Sequence, residues 1–248
     1  MRQQNEYGAL APFYDIFIDW EKRLSLEIPF ILGEMPPKPA GSSCLDIGCG
    51  TGRHLERLRD AGFAPTGCEP SPELRRQAQK NLPGVEIHPY PMGRLAQLAG
   101  GQGPWDLVIC LGNTLAHLKP ELRLDFFSAL AGALKPGGKA ILHLLGYDRI
   151  MRLRPENLPE KTVERDGRRY TFKRDYAYQS GEIGFTLRVL IDGTLETEQW
   201  ETLYPFRSDE LMEHCRAAGL ERCEMFDGFN QESRYSSDSQ NLVCIVSL

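Results

Sequence analysis

The sequence predicts an α/β fold built on a doubly wound sheet of seven strands. Three observations carry that expectation. Between Ser43 and Leu145, short apolar runs alternate with amphipathic segments, the pattern of parallel strands joined by right-handed crossovers. The first run, Cys44-Leu45-Asp46-Ile47, enters Gly48-Cys49-Gly50-Thr51-Gly52 and then a helix at Arg53, which is a ligand cradle at a strand's carboxyl end. Beyond Leu145 apolar residues recur at period two, marking an antiparallel insertion before one helix and two strands complete the sheet.

Taken in order, residues 5–35 read as interrupted helix. Leu10, Phe13, Phe17, Leu24, Ile28 and Ile31 keep helical spacing, with breaks at Pro12 and Pro29. Pro36-Pro37-Lys38-Pro39 and Gly41 end this cap, which spans residues 1–40. The sheet occupies 41–146 and 206–248, and the insertion 147–205. Gly62 closes a helix over 53–61. Ser71-Pro72-Glu73 opens the next with a cap, a helix-compatible proline and an acid in the first turn. Residues 85–90 and 105–111 read as strands three and four, and 120–134 as a helix burying Leu124, Phe127, Leu130, Ala131 and Leu134. Pro136-Gly137-Gly138 turns into a fifth strand at 139–145. In the insertion, Tyr170 to Tyr178, Ile183 to Ile191 and a run through Trp200 and Tyr204 make three strands, the last two joined by an Asp192-Gly193 hairpin. They form a flap over the open end of the sheet. A Ser208-capped helix ended by Gly219, then strands near 221–226 and 242–246, complete the count.

The glycine loop indicates which ligand it takes. Its spacing is G-x-G-x-G, tighter than the G-x-G-x-x-G of a dinucleotide site, and Asp46 stands two residues before the first glycine. A carboxylate there repels a pyrophosphate and suits a ligand carrying a cation. Glu69, ending the second strand, can accept both hydroxyls of a ribose. S-adenosylmethionine, with a sulfonium, an ammonium and no phosphate, meets both conditions.

At this point D-I-G-C-G-T-G followed by Glu69 resembles the class I S-adenosylmethionine-dependent methyltransferases. Gly112-Asn113-Thr114-Leu115-Ala116-His117-Leu118 is similar to a segment of the glycine and sarcosine N-methyltransferases, and Ala11-Pro12-Phe13-Tyr14-Asp15 matches a cofactor-capping A-x-x-Y-D helix. The resemblance implies a Rossmann-like sheet with its last strand antiparallel. It also implies S-adenosylmethionine as cofactor, S-adenosylhomocysteine as product, and in-line methyl transfer to nitrogen or oxygen of a small molecule. Cofactor contacts are implied for Asp46, Gly48, Cys49, Gly50, Gly52, Glu69 and Pro70, and carbonyls of Leu111 and Gly112 would take the ammonium. Tyr14 would act as lid and Arg23 would pair with the carboxylate. Many relatives carry an acid after the third strand for adenine; here the stretch is His88-Pro89-Tyr90-Pro91-Met92-Gly93, so Met92 takes that place. Asn113 would orient a ligand and His117 would take a proton from the acceptor.

Composition narrows the alternatives. A net charge of -5 disfavours an obligate nucleic-acid binder, although 149–174 holds nine Lys or Arg against four acids. That basic collar suits an anionic small molecule, with RNA or protein methylation as the other use of it; a non-catalytic cofactor-binding module is a third reading. Seven cysteines without a C-x-x-C pair suggest buried thiols in a reducing cytoplasm and no metal site. The N-terminus lacks a signal-peptide core and no apolar run reaches membrane-spanning length. The insertion's exposed edge offers pairing between protomers.

Overall fold

The computed structural model describes residues 8–35 and 41–248; the first residues of the expected cap and the Pro36–Pro39 linker read from sequence lie outside them. The chain opens with a short 3-10 turn, Gly8–Leu10, then α1 (Ala11–Phe17) and α2 (Trp20–Glu34). The sheet region follows with β1 (Ser43–Ile47), α3 (Arg53–Asp60), β2 (Ala64–Cys68), α4 (Pro72–Asn81), β3 (Glu86–His88), α5 (Leu95–Gln102), β4 (Trp105–Cys110), α6 (Arg123–Gly132) and β5 (Leu134–Leu145). After α7 (Tyr147–Leu153) come β6 (Asn157–Arg165), β7 (Arg168–Gln179), β8 (Glu182–Ile191) and β9 (Thr194–Leu203). Finally α8 (Ser208–Ala217), β10 (Arg222–Phe226) and β11 (Asn241–Ser247) return to the main sheet.

That sheet has the order β10-β11-β5-β4-β1-β2-β3, parallel except for β11, which runs antiparallel to both neighbours. The seven-stranded α/β expectation is therefore met. Chain direction across the sheet reverses between β1 and β4, so the loops leaving these two strands part and open a crevice. Strand residues alternate between two cores. Leu45, Ile47, Val108 and Leu142 pack with Phe126, Phe127 and Leu211 on one face. Cys44, Leu107, Ile109 and Ile141 pack with Phe30, Ile31, Leu55 and Leu58 on the other. All seven cysteines are free, and all but Cys223 are buried. Among the described residues, no helix is long and apolar enough to cross a membrane.

Local chemistry explains the helix ends. Ser71 accepts a hydrogen bond from the Leu74 N–H and Pro72 opens α4, as the sequence indicates. Past α3, Phe63 N–H reaches Leu58 O and Gly62 N–H reaches Arg59 O, a 6→1 closure over a glycine at φ 94°.

Several expectations are corrected. The insertion has four strands, β6 through β9, not three. β6 escapes notice because it is an edge strand with charged residues on both faces, so its apolar alternation is weak. Pro29 sits inside α2 without ending it. α6 buries Arg123, Phe126, Phe127 and Leu130 and leaves Leu124 52% exposed, because the two adjacent phenylalanines turn their own face inward. β5 begins at Leu134, reaching through Pro136-Gly137-Gly138 with an irregular register against β4. Ser208 is the first residue of α8 and not its cap; its N–H is held by the Asp148 carboxylate at 3.2 Å.

Candidate active site

The crevice is the floor of a cavity of about 1330 Å³, larger than the ~300–1,000 Å³ usual for a single ligand. Its floor is the loop after β1 and the turn after β4. One wall is α1 and the start of α2, and the far wall is the inner face of β7, β8 and β9.

Gly48 and Gly50 have φ of 72° and 57°, which a side chain would strain. A Cβ at Gly48 would also come within 2.5 Å of the Thr114 methyl, and one at Gly50 within 3.3 Å of the Tyr14 ring. The loop is held by Glu69, 6% exposed, whose two oxygens each accept a backbone N–H, from Gly50 and Ser71, at 2.9 Å. Burial pushes this carboxyl up to about 7, against the lowering effect of those two hydrogen bonds. Asp46 lies beneath the same loop, 2% exposed, and burial pushes it up to about 6 although the charges of His54 and Arg23 oppose that. Its Oδ2 has no hydrogen-bond partner among the described residues.

The N-terminal segment is strapped down by Asp15. This carboxylate accepts from Thr51 Oγ1 at 2.7 Å, from the Arg53 guanidinium at 2.7 Å and from Trp20 Nε1 at 2.8 Å. α1 is thereby pinned to the start of α3, which carries Tyr14 over Gly50. On its other side, Phe17 packs on Phe172 with centroids 5.0 Å apart, and the Lys161 ammonium donates to the Phe17 carbonyl. From α2, Arg23 reaches the turn after β4: a Cβ on Gly112 would lie 3.0 Å from its guanidinium.

Of the residues singled out by sequence, Tyr14, Arg23, Gly48, Gly50, Glu69, Pro70, Met92, Gly112, Asn113 and His117 line the cavity. Cys49, Gly52 and Leu111 lie behind the wall. Cys49 is buried against β2, where a Cβ on Gly67 would meet its sulfur at 2.9 Å, and Gly52 faces Leu82 and Ala78. The Leu111 carbonyl accepts from the Thr114 hydroxyl at 2.7 Å. Asn113 has its amide committed to structure: it donates to the Tyr147 hydroxyl at 2.9 Å and accepts from the Leu145 N–H at 3.1 Å. Burial pushes His117 down to about 4, so it stands neutral at pH 7 and holds a proton weakly.

Sequence reasoning missed three residues here. Glu27 and His54, 4% and 5% exposed, meet beneath Arg23. His143 lines the cavity, accepts from the Gly112 N–H on Nδ1 at 3.2 Å, and is pushed down to about 4 by burial. Glu27 had a readable signal, since Trp20, Arg23 and Glu27 fall on one face of a helix.

Residues 44–138 match a family model described as a methyltransferase domain. That stretch is similar to methyltransferase domains, and the relatives that the chain resembles are methyltransferases. The chain is similar to a glycine/sarcosine/dimethylglycine N-methyltransferase of Actinopolyspora halophila, 24% identical over 246 residues. The match takes in 92% of this chain but only 40% of that relative, and the chain spans less than two thirds of the other glycine/sarcosine relatives as well. A dTDP-4-amino-2,3,4,6-tetradeoxy-D-glucose N,N-dimethyltransferase of Saccharopolyspora spinosa is 28% identical over 196 residues, covering 77% of this chain and 75% of the relative. The fold is shared with CalS10, an amino pentose methyltransferase from Micromonospora echinaspora solved with its cofactor bound. That likeness has a TM-score of 0.71 at 22% identity and covers 96% of this chain and 95% of that one.

The residues present fit S-adenosylmethionine. Two desolvated carboxylates at the glycine loop, one with an orphaned oxygen, suit a ligand with cations and hydroxyls and oppose a pyrophosphate.

Proposed function

We propose that this protein transfers a methyl group from S-adenosylmethionine to a nitrogen of a small-molecule acceptor. The observation that carries the reading is the pair of buried acids, Asp46 and Glu69, at a glycine loop opening into a cavity with room for two ligands. Glu69 would take the ribose hydroxyls, since each of its oxygens keeps a lone pair beyond its backbone bond. Arg23 would pair with the carboxylate, the Gly112 turn would receive the ammonium, Met92 would pack on adenine, and Tyr14 would cover the site. The cofactor supplies an electrophilic methyl on a sulfonium. The chain's own work is then to orient the acceptor's lone pair and exclude water.

Nitrogen is favoured over oxygen by the state of His117. A neutral amine attacks without prior loss of a proton, whereas a hydroxyl needs a base, and burial leaves His117 a weak one. The relatives whose names specify amine acceptors agree with this. The cavity lining carries Arg94, Lys119, Arg149 and Arg174 beside the acids Glu69 and Glu201, an excess of positive charge that would suit an acceptor with an anionic group. Against RNA stands the pairing of four collar cations with acids at the surface: Arg168 with Asp192, Arg169 with Glu164, Lys173 with Glu160 and Arg152 with Asp238.

Calorimetric titration with S-adenosylmethionine and S-adenosylhomocysteine, beside Glu69→Ala, tests the cofactor. Dissociation constants on the order of micromolar, weakened at least roughly tenfold in the variant, are expected. Transfer of labelled methyl to matched amine and hydroxyl compounds tests the acceptor. No binding, or methylation confined to hydroxyls, would sink the respective half of the reading.

A further inference from the structure

The cavity wall at Arg23 is backed by a buried relay that takes no direct part in the proposed transfer. Arg23 Nε donates to Glu27 Oε1 at 2.7 Å. The other Glu27 oxygen, Oε2, meets His54 Nε2 at the start of α3. The guanidinium lies 5.4 Å from the Trp20 ring centroid, and His54 stands edge-on to the same ring at 5.6 Å. Trp20, Arg23 and Glu27 share one face of α2, and His54 closes the set from α3. The arrangement spends the ε nitrogen of Arg23 on Glu27 and leaves its η nitrogens at the Gly112 turn.

We infer that Glu27 is a positioning residue: with His54 behind it, it fixes Arg23 in the one orientation that presents its η nitrogens to the cofactor's carboxylate. This rests on the reading that Arg23 takes that carboxylate. The physical case is that a free arginine has many rotamers, and a bidentate fork discriminates only if it is held. Burying a carboxylate is unfavourable unless it is paired on both sides, which is what Glu27 has. Burial alone would raise the Glu27 carboxyl; the His54 hydrogen bond and the Arg23 charge instead hold it below the usual range, so it is an anion at neutral pH. Glu27 lines no part of the cavity and touches no ligand there.

The test compares affinities for S-adenosylmethionine and for decarboxylated S-adenosylmethionine, which keeps the nucleoside, sulfonium and ammonium. In the wild type the carboxylate-bearing ligand binds more tightly, and Arg23→Gln abolishes that preference. Glu27→Gln is expected to cut the preference roughly tenfold while leaving the affinity for the decarboxylated ligand within about twofold. His54→Gln, which removes only the outer support, should cut it less, and this variant serves if Glu27→Gln does not fold. A merely structural Glu27 would weaken both ligands alike, which would overturn the inference, as would an unchanged preference in Glu27→Gln. A wild type without preference, or an Arg23→Gln that keeps it, would instead overturn the carboxylate reading of Arg23 while leaving the cofactor assignment itself standing.

Discussion

Glu69 holds the glycine loop at a cost that pH can reveal. Its carboxyl ionises near pH 7 in the native protein and at the ordinary 4.5 once unfolded. Between those values the native state keeps a proton that the unfolded chain has lost. Stability contributed by this group is therefore fully present below pH 4.5 and lost as pH rises through 7, at up to about 1.4 kcal/mol for each pH step between the two. His117 and His143, both near 4, act the other way below 6.5, because the unfolded chain takes up their protons first. Glu69 is isolated by comparing wild type with Glu69→Ala in thermal melts at pH 8 and pH 5. The wild type should gain several degrees relative to the variant on going to pH 5. A constant gap between the two melts would mean that Glu69 is ionised like an exposed carboxylate.

At the scale of elements, the cap is a strap with one main fastening. Asp15 joins α1 to Thr51 and Arg53 at the start of α3 and to Trp20 at the start of α2. Asp15→Ala should leave the sheet intact but weaken cofactor binding, on the order of tenfold, because Tyr14 is no longer held over Gly50. Hydrogen exchange over residues 8–18 should quicken in the same variant, while β1 and β4 stay protected. Unchanged exchange in α1 would show that Phe17 and Phe172 hold the strap without Asp15. Much of this level was legible in the sequence. The Ser71 cap, the Gly62 closure and the Asp192-Gly193 hairpin each follow from a backbone requirement that few residues meet. Tyr14 and Asp15 stand out through a family-like string, not through physics. What stayed hidden depends on partners distant in the chain. Helical spacing places Glu27 on one face with Trp20 and Arg23, but its second partner, His54, 27 residues on, comes to its side only when α2 lies against α3. β6 is invisible because its stability comes from pairing with β7 and not from its own apolar pattern. Ser208 looks like a cap because nothing in the local sequence reveals Asp148.

Across the whole molecule, the insertion is not an appendage. Tyr176, Ile183 and Leu203 of β7, β8 and β9 belong to the same buried cluster as Leu45, Val108 and Leu142 of the main sheet, with Phe206 and Tyr147 packed among them. The N-terminal turn and α1 close a second junction, since Leu10, Phe13 and Phe17 share a cluster with Phe172, Leu187 and Val189. The far wall of the cavity is thus bonded to its floor at both ends, and neither sheet can lose its packing without exposing the other's apolar surface. Scanning calorimetry of the full chain should accordingly show one endotherm, with S-adenosylhomocysteine moving the whole transition upward. Leu203→Ala, at the junction, should lower that single transition by about 2–5 kcal/mol of stability. Separation into two transitions, with the ligand shifting only one, would show that the insertion folds on its own and that its contacts with the main sheet are too weak to couple acceptor recognition to the cofactor's floor.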